Sequence, residues 1–254
     1  MSKNLPVQDN PHVESDYGSF AGIYNQWIAE DFAEKMMPAI SRLLLETLPE
    51  GSRVLDLCCG TGQLARALSS RGFRVVGVDT SSSMLEYARN NAPGCRFEQA
   101  DAREFDVGRD FDAVVSSFNS LSHMVTGHLV RVFRNVRRAL KPDAPFIFDL
   151  NMEEAYLKRW RGSFSRVTDE SVCIVRPMYE PDRRIGTNLI TVFQKPNGKN
   201  EWTRLDFTIV QKCHTRAEVE NALAQASFRE IAALDAQSDL GMTGETGRVF
   251  FLCR

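Results

Sequence analysis

VLDLCCGTGQLARAL, residues 54–68, decides how the rest of the chain is read. Its first four residues are apolar apart from Asp56, the pattern of a short, fully buried strand. Gly60-Thr61-Gly62 then makes a tight turn, and Leu64, Ala65 and Leu68 recur at helical spacing. Strand, glycine turn and helix in that order open a nucleotide-binding βαβ unit. Gly60 and Gly62 lack a Cβ, so the backbone there can turn sharply and approach a ligand at the strand's carboxyl end.

Two ligands compete for this turn. GTGQLA satisfies G-x-G-x-x-A, and Asp79 ends the next strand about 20 residues on, as an NAD fingerprint requires. Asp56 argues the other way. It stands just before the turn, where a dinucleotide places its pyrophosphate at the helix N-terminus, and a carboxylate there repels phosphate. It suits a ligand with an ammonium and a sulfonium group and no phosphate. S-adenosylmethionine is therefore the expected cofactor, with S-adenosylhomocysteine as its product.

Composition narrows the class further. The 254 residues make one large domain, or one domain with a sizeable insertion, and 43% hydrophobic content supports a proper core. A formal net charge of −2 gives no global field toward nucleic acid or an anionic membrane. No apolar run approaches the ~20 residues of a membrane span. Residues 1–16 are polar, read as a mobile tail, and lack the apolar stretch of a signal peptide, so a cytoplasmic protein is expected. The six cysteines, Cys58, Cys59, Cys95, Cys173, Cys213 and Cys253, form no C-x-x-C pair and read as reduced, packed thiols; no metal is expected.

Upstream of the turn, Tyr17 to Met37 reads as one amphipathic helix, stopped by Pro38 and followed by a second helix to Leu48. Downstream the chain alternates, with strands at Arg74–Val78, Cys95–Gln99, Phe111–Ser117 and Ala144–Leu150 and helices at Ser81–Asn91 and Leu129–Leu140. That rhythm implies a parallel, doubly wound sheet covered on both faces. It then changes. Period-two runs at Phe164–Thr168, Ser171–Tyr179, Asn188–Gln194 and Thr203–Lys212, punctuated by Pro181-Asp182 and Pro196-Asn197-Gly198, predict an inserted antiparallel sheet. The insertion, residues 156–213, is expected to lie over the carboxyl edge as a lid. A helix at Thr215–Ala226 and strands near Glu230–Ala236 and Arg248–Cys253 complete a seven-stranded, mostly parallel α/β domain made of 17–155 and 214–254.

VLDLCCGTG, VVGVDTSSSML, FEQADAREF and FDAVVSSFNSL, in that order, resemble the successive motifs of class I S-adenosylmethionine-dependent methyltransferases. The similarity covers roughly Tyr17 to Leu150, and Thr215 to Cys253 fits the same fold. YGSFAGIYNQW and the antiparallel insertion look like the small-molecule branch that includes sugar-amine N-methyltransferases and glycine N-methyltransferase. The resemblance implies that Asp101, with Ala102 beside it, accepts the adenine amino group, the alternative being a solvated loop acid. It also implies that the hydroxyls of Tyr17 and Tyr24 reach the cofactor's carboxylate, the alternative being a helix packing face. Cys58 departs from the family, which usually has glycine or alanine there.

The remaining candidates come from position. Asp79 can accept both ribose hydroxyls or cap the next helix; Thr80 follows it in the cofactor set. Met84 covers adenine or packs in the core. Ser117, Phe118 and Asn119 leave the fourth strand where a reacting group belongs, the first two assigned to the cofactor and Asn119 to catalysis. His123, with an ordinary pKa near 6.5, is the candidate base if the acceptor must lose a proton, and otherwise a structural loop residue. Asp149 and Asn151 are alternative acceptor contacts. Arg131, Arg134, Arg137, Arg138 and Lys141 read as a solvated helix face, without the aromatic neighbours of an RNA patch. The expected activity is methyl transfer to nitrogen or oxygen of a small-molecule acceptor, with no nucleic-acid or membrane partner, by a monomer or homodimer. An RNA or protein methyltransferase and a non-catalytic S-adenosylmethionine-binding protein are the alternatives.

Overall fold

The computed structural model describes residues 17–195 and 201–254. The tail expected at 1–16 and the turn at Pro196-Asn197-Gly198 lie outside these residues. The chain opens with α1 (Tyr17–Trp27) and α2 (Ala29–Leu43), then alternates β1 (Arg53–Leu57), α3 (Gln63–Ser69), β2 (Arg74–Asp79), α4 (Ser82–Asn91), β3 (Arg96–Gln99), β4 (Ala113–Ser116), α5 (Thr126–Ala139), β5 (Phe146–Asn151) and α6 (Glu153–Arg159). Four consecutive strands follow, β6 (Phe164–Val167), β7 (Ser171–Glu180), β8 (Ile185–Gln194) and β9 (Thr203–Lys212). The chain closes with α7 (Arg216–Gln225), β10 (Ile231–Asp235) and β11 (Arg248–Cys253).

Seven strands form the main sheet in the order β10-β11-β5-β4-β1-β2-β3. β1 to β5 run parallel, and β11 is antiparallel to both β5 and β10. The chain leaves β1 toward β2 on one side and returns to β4 on the other. This reversal opens a crevice at the carboxyl ends of β1 and β4, the place where open α/β sheets bind ligands. One sheet face packs on α5 and α7 through Phe133, Val136, Val219 and Leu223; the other packs on α2, α3 and α4 through Met36, Ile40, Leu64, Leu68 and Leu85.

The second sheet is wholly antiparallel, in the order β6-β7-β8-β9. Its inner face sets Cys173, Val175, Ile190, Val192, Phe207 and Ile209 against Phe20, Ile23 and Trp27 of α1. No helix among the described residues is long and apolar enough to cross a membrane.

Several boundaries differ from the sequence reading, each for a physical reason. The first helix breaks at Ile28 (φ −122°, ψ −48°), not at Pro38. The Trp27 carbonyl freed by that break accepts Arg166 Nη1 from β6 at 2.6 Å, a partner invisible to local pattern. Pro38 is exposed and stays inside α2, so the carbonyl it leaves without a donor faces water. α5 begins at Thr126 because its polar first turn carries no apolar period. α6, with Glu153 and Glu154 in its first turn and Lys158 and Arg159 in its last, is absent from the sequence reading, and the boundary expected at residue 156 falls inside it.

Candidate active site

The turn after β1 is built from left-handed residues. Cys58 (φ 61°), Gly60 (φ 53°) and Gly62 (φ 82°) all lie in the region that favours glycine, and Cys58 occupies it with a side chain. The two glycines do different work. A Cβ on Gly62 would sit 2.9 Å from Ala88 Cα, so its absence lets the turn close onto α4. At Gly60 a Cβ would stand 3.6 Å from the Tyr24 ring. Asn25 ties α1 to the same turn: its Oδ1 accepts from Gln63 Nε2 (2.8 Å) and Asn91 Nδ2 (2.6 Å), and Asn91 also donates to the Thr61 carbonyl (2.7 Å). The sequence reading did not find this clamp.

Charge concentrates where the turn meets the sheet. Asp56 is buried, and burial first, with the neighbouring Asp79 second, pushes its carboxyl up to about 7. Its Oδ2 and the Ser116 hydroxyl are the two buried side-chain polar atoms without a hydrogen-bond partner among the described residues. Both stand at the carboxyl edge of adjacent strands, where Asp56 is paired with Val115, the residue before Ser116. Asp79 Oδ2 accepts the Gly60 N–H (2.9 Å) and its Oδ1 the Ser81 N–H (3.0 Å). Helix α4 is capped by Ser81, whose hydroxyl accepts the Met84 N–H, so Asp79 is not its N-cap. Burial raises Asp79, and these backbone donors oppose it. Burial and the nearby Asp79, Asp56 and Asp149 push the Tyr24 phenol up, and burial with Asp79 and Asp56 does the same to the Cys58 thiol. The wall is anionic or neutral throughout, and a positively charged ligand group would relieve it.

The loop after β4 forms the facing wall. Phe118 (φ 69°) and Asn119 (φ 59°) are consecutive left-handed residues, a strained pair held by one carboxylate. Asp149 Oδ1 accepts the Phe118 N–H (2.8 Å) and the Ser117 hydroxyl (3.2 Å), and Oδ2 accepts the Asn119 N–H (3.0 Å). Buried Arg248 pairs with Asp149 and with Glu245, which also holds Arg159 (2.8 Å) and Lys35. Burial pushes Glu245 upward, yet Arg248, Lys35 and Arg159 hold it at about 2. Asp149 is thus committed to the loop. Asn151 likewise accepts Arg159 Nη2 (2.6 Å) through its side chain, while its N–H donates to Asn119 Oδ1 (2.8 Å). Both residues, expected as alternative acceptor contacts, have their side chains spent on shaping the wall.

Asn119 also reaches the second sheet. Its Nδ2 donates to Gln211 Oε1 (3.0 Å) on β9, and the Tyr156 hydroxyl of α6 donates to the same oxygen (3.3 Å). His123 lies in the next turn with Nδ1 3.0 Å from the Val210 carbonyl, which places the ring proton on Nδ1. Burial lowers its pKa to about 4, so the value near 6.5 expected from sequence is corrected downward.

The other candidates scatter more widely. Phe118 packs on Phe32 of α2, ring centroids 5.6 Å apart. Met84 is buried, and Thr80 is exposed with its carbonyl accepting Gln99 Nε2 (2.9 Å). Asp101 is half-buried and paired: Arg103 donates to it from its N–H (2.7 Å) and Nε (2.9 Å) and lowers its pKa. The Ala102 side chain belongs to the core, and its carbonyl accepts from Asn135 Nδ2 (3.4 Å). Tyr17 begins α1, and its side chain lies outside the described residues.

Residues 54–143 match a family model described as a methyltransferase domain (Methyltransf_25). The chain is 27% identical over 241 residues to YqeM of Bacillus subtilis, a protein with a provisional methyltransferase name, covering 92% of this chain and 95% of that one. A dTDP-3-amino-3,4,6-trideoxy-alpha-D-glucopyranose N,N-dimethyltransferase of Streptomyces venezuelae is 32% identical over 113 residues, 44% of this chain and 47% of its own. Among solved structures, an S-adenosylmethionine-dependent methyltransferase from Clostridium acetobutylicum superposes with a TM-score of 0.76 at 23% identity, over 94% of this chain and 98% of that one. Residues 54–143 thus match a methyltransferase domain, within a chain that has the fold of the S-adenosylmethionine-dependent methyltransferases.

Proposed function

We propose that this methyltransferase moves the methyl group of S-adenosylmethionine to a nitrogen or oxygen of a small-molecule acceptor. The observation that carries the reading is Asp56: a buried carboxylate with an unpartnered oxygen, at the turn where a dinucleotide would put phosphate. The residues fit the cofactor. Asp56 and Tyr24 would face its charged amino-acid end, the left-handed Gly60 would let the backbone approach, and Asp79 keeps lone pairs for ribose hydroxyls beyond the two N–H groups it holds. Met84, Asp101 and the Ala102 backbone stand on the adenine side. When bound, S-adenosylmethionine supplies an electrophilic methyl carbon on a sulfonium.

The chain's own part is to orient the acceptor and exclude water. The Ser117-Phe118-Asn119 loop and the β9 edge form the acceptor side, and the four-stranded sheet acts as a lid that sets which acceptor enters. His123 stays neutral through the physiological range. Held by the Val210 carbonyl at the β9 edge, it serves to shape the acceptor side, and burial makes it a poor resting place for a proton.

The relatives named as amino-sugar N,N-dimethyltransferases support trying nucleotide-linked amino sugars first as acceptors. A cytoplasmic location is supported by six cysteines that are all free, and a monomer or homodimer is the working unit. Calorimetry with S-adenosylhomocysteine and NADH side by side tests the cofactor. Tighter NADH binding would overturn the reading, and a methyl-transfer screen across amino sugars and carboxylic acids tests the acceptor class.

A further inference from the structure

The arginine stripe of α5 plays no part in the site just described. Arg131, Arg134 and Arg138 follow one another at helical spacing with Arg137 beside them, and α5 contains no Asp or Glu. Like charges three and four residues apart repel. The last-turn pair, Arg137 and Arg138, gains from the helix dipole, but Arg131 and Arg134 lie too far back to share it. A face that only meets solvent interleaves its cations with carboxylates, and this one does not.

Compensation from neighbouring elements is thin. Glu104 stands 3.8 Å from Arg131. Among the described residues no carboxylate pairs with Arg134, Arg137 or Arg138. Arg137 donates to the Lys141 carbonyl (3.4 Å), and Arg138 is held by the side chain of Asn135, which is buried and donates in turn to the Ala102 carbonyl (3.4 Å). These guanidinium groups, with Arg103, line a groove of about 690 Å³ between α5 and the residues that follow α7. With Arg103 paired to Asp101, four arginines of α5 against Glu104 concentrate positive charge on a chain whose net charge is −2.

The groove's chemistry selects the kind of anion. Guanidinium forks match phosphate oxygens two at a time. No aromatic ring lines the groove on which bases of a nucleic-acid strand could stack. From Arg131 to Arg138 the stripe rises about 10 Å, the reach of a short phosphate chain.

Arg103 joins this groove to the cofactor side. It lines the groove, yet its Nε and Nη2 are spent on Asp101, the carboxylate placed on the adenine side. We propose that the groove between α5 and α7 binds a polyphosphate anion, and that the bound anion draws Arg103 away from Asp101 and so tightens cofactor binding. The second half rests on the S-adenosylmethionine reading above; the first does not. Coupling of this kind is reciprocal, so cofactor would tighten the anion by the same factor.

The test begins with calorimetric titration of tripolyphosphate into the full chain without cofactor, compared with Arg134→Glu/Arg138→Glu. Arg134→Glu puts a carboxylate three residues from both Arg131 and Arg137 but four from the one introduced at 138, so a urea unfolding curve of the variant is taken beside the titration to show that it is folded. The expected result is saturable one-to-one binding that weakens roughly tenfold or more in the variant, the scale of losing charge-assisted contacts. No saturable binding, or equal binding by the variant, would overturn the site. ADP in place of tripolyphosphate supports the site whether it binds equally or more tightly, and separates inorganic chain from nucleotide. A single-stranded RNA that binds far more tightly than either would overturn the ligand class. S-adenosylhomocysteine is then titrated with and without saturating tripolyphosphate. A severalfold gain in wild type that disappears in Arg103→Ala supports the coupling, and an unchanged affinity overturns it. If S-adenosylhomocysteine binds under neither condition, the cofactor reading and the coupling fall together, while the anion titration stands by itself.

Discussion

Asp56→Asn should make the protein more stable and a worse binder of its cofactor. Burial and Asp79 raise the Asp56 carboxyl from 3.8 to about 7 in the folded chain. At 1.36 kcal/mol per tenfold, keeping it ionised in the folded state costs about 4 kcal/mol. The sign follows from the raised value. Well below pH 3.8 the group is protonated in both states and costs nothing; the penalty grows from there toward pH 7 and is constant above that. The carboxamide of the variant would keep an acceptor for the Ala65 N–H without carrying charge. Urea unfolding of wild type and variant at pH 4.5 and pH 8 measures the difference, with equal slopes showing that the unfolded states match. The variant should be more stable by about 1 kcal/mol at pH 4.5 and by about 4 kcal/mol at pH 8, the latter roughly 10 °C for a chain of this size. S-adenosylmethionine affinity should fall at least tenfold with the lost carboxylate. A variant no more stable than wild type at pH 8, or equally stabilised at both pH values, would show that Asp56 carries no such burden.

Four other outcomes are expected. Asp79→Ala removes the acceptor of the Gly60 and Ser81 N–H groups as well as the ribose contact, so S-adenosylhomocysteine affinity should drop by ~1.5–3 kcal/mol and the melting temperature should fall with it, both readable in one thermal-shift titration. Gln211→Ala cuts the link from Asn119 and Tyr156 to β9, and should lower kcat/KM for the acceptor while leaving S-adenosylhomocysteine affinity within a few fold. His123, lowered to about 4, should show an unchanged C2-proton NMR shift from pH 8 down to pH 5; a midpoint near 6.5 would restore it as a working base. Arg248→Met leaves Asp149 and Glu245 buried without their shared cation, and should cost ~3–5 kcal/mol by urea unfolding.

The cofactor half of the molecule was legible because its signals are local. Gly60 and Gly62 were read from spacing alone, and both adopt the left-handed conformations that make glycine necessary. The strand and helix order around them followed from periodicity, as did the antiparallel pairing of β7, β8 and β9. What escaped was decided by partners distant in sequence. The helix break at Ile28 depends on Arg166, 139 residues from the Trp27 carbonyl that it satisfies. Asp149 looked available until Arg248, 99 residues away, and the loop N–H groups were seen to occupy it. The low value at His123 comes from burial by the second sheet, which no pattern in FNSLSHM records. One pairing was within reach of local pattern: Asp101 and Arg103 lie two residues apart, and the sequence reading did not weigh their contact.

The two walls of the crevice are therefore held by different means, and this separates what each can tolerate. The β1 turn is fixed by main-chain conformation, by packing of Gly62 on α4 and by the Asn25 clamp from α1, the helix on which the second sheet packs. The β4 loop is fixed by side chains: Asp149 holds two strained residues, Arg248 balances Asp149, and Asn119 carries the loop's position across to Gln211. A change on β9 is felt at Asn119 through one hydrogen bond, while the bonds that hold Asp79 run to the backbone of its own turn and helix. An enzyme built this way can exchange acceptors by altering the second sheet and α6 while its cofactor turn stays as it is. On the proposed function, the acceptor would be selected through contacts such as Asn119 with Gln211 and His123 with Val210, and not through the glycine motif that first revealed the fold.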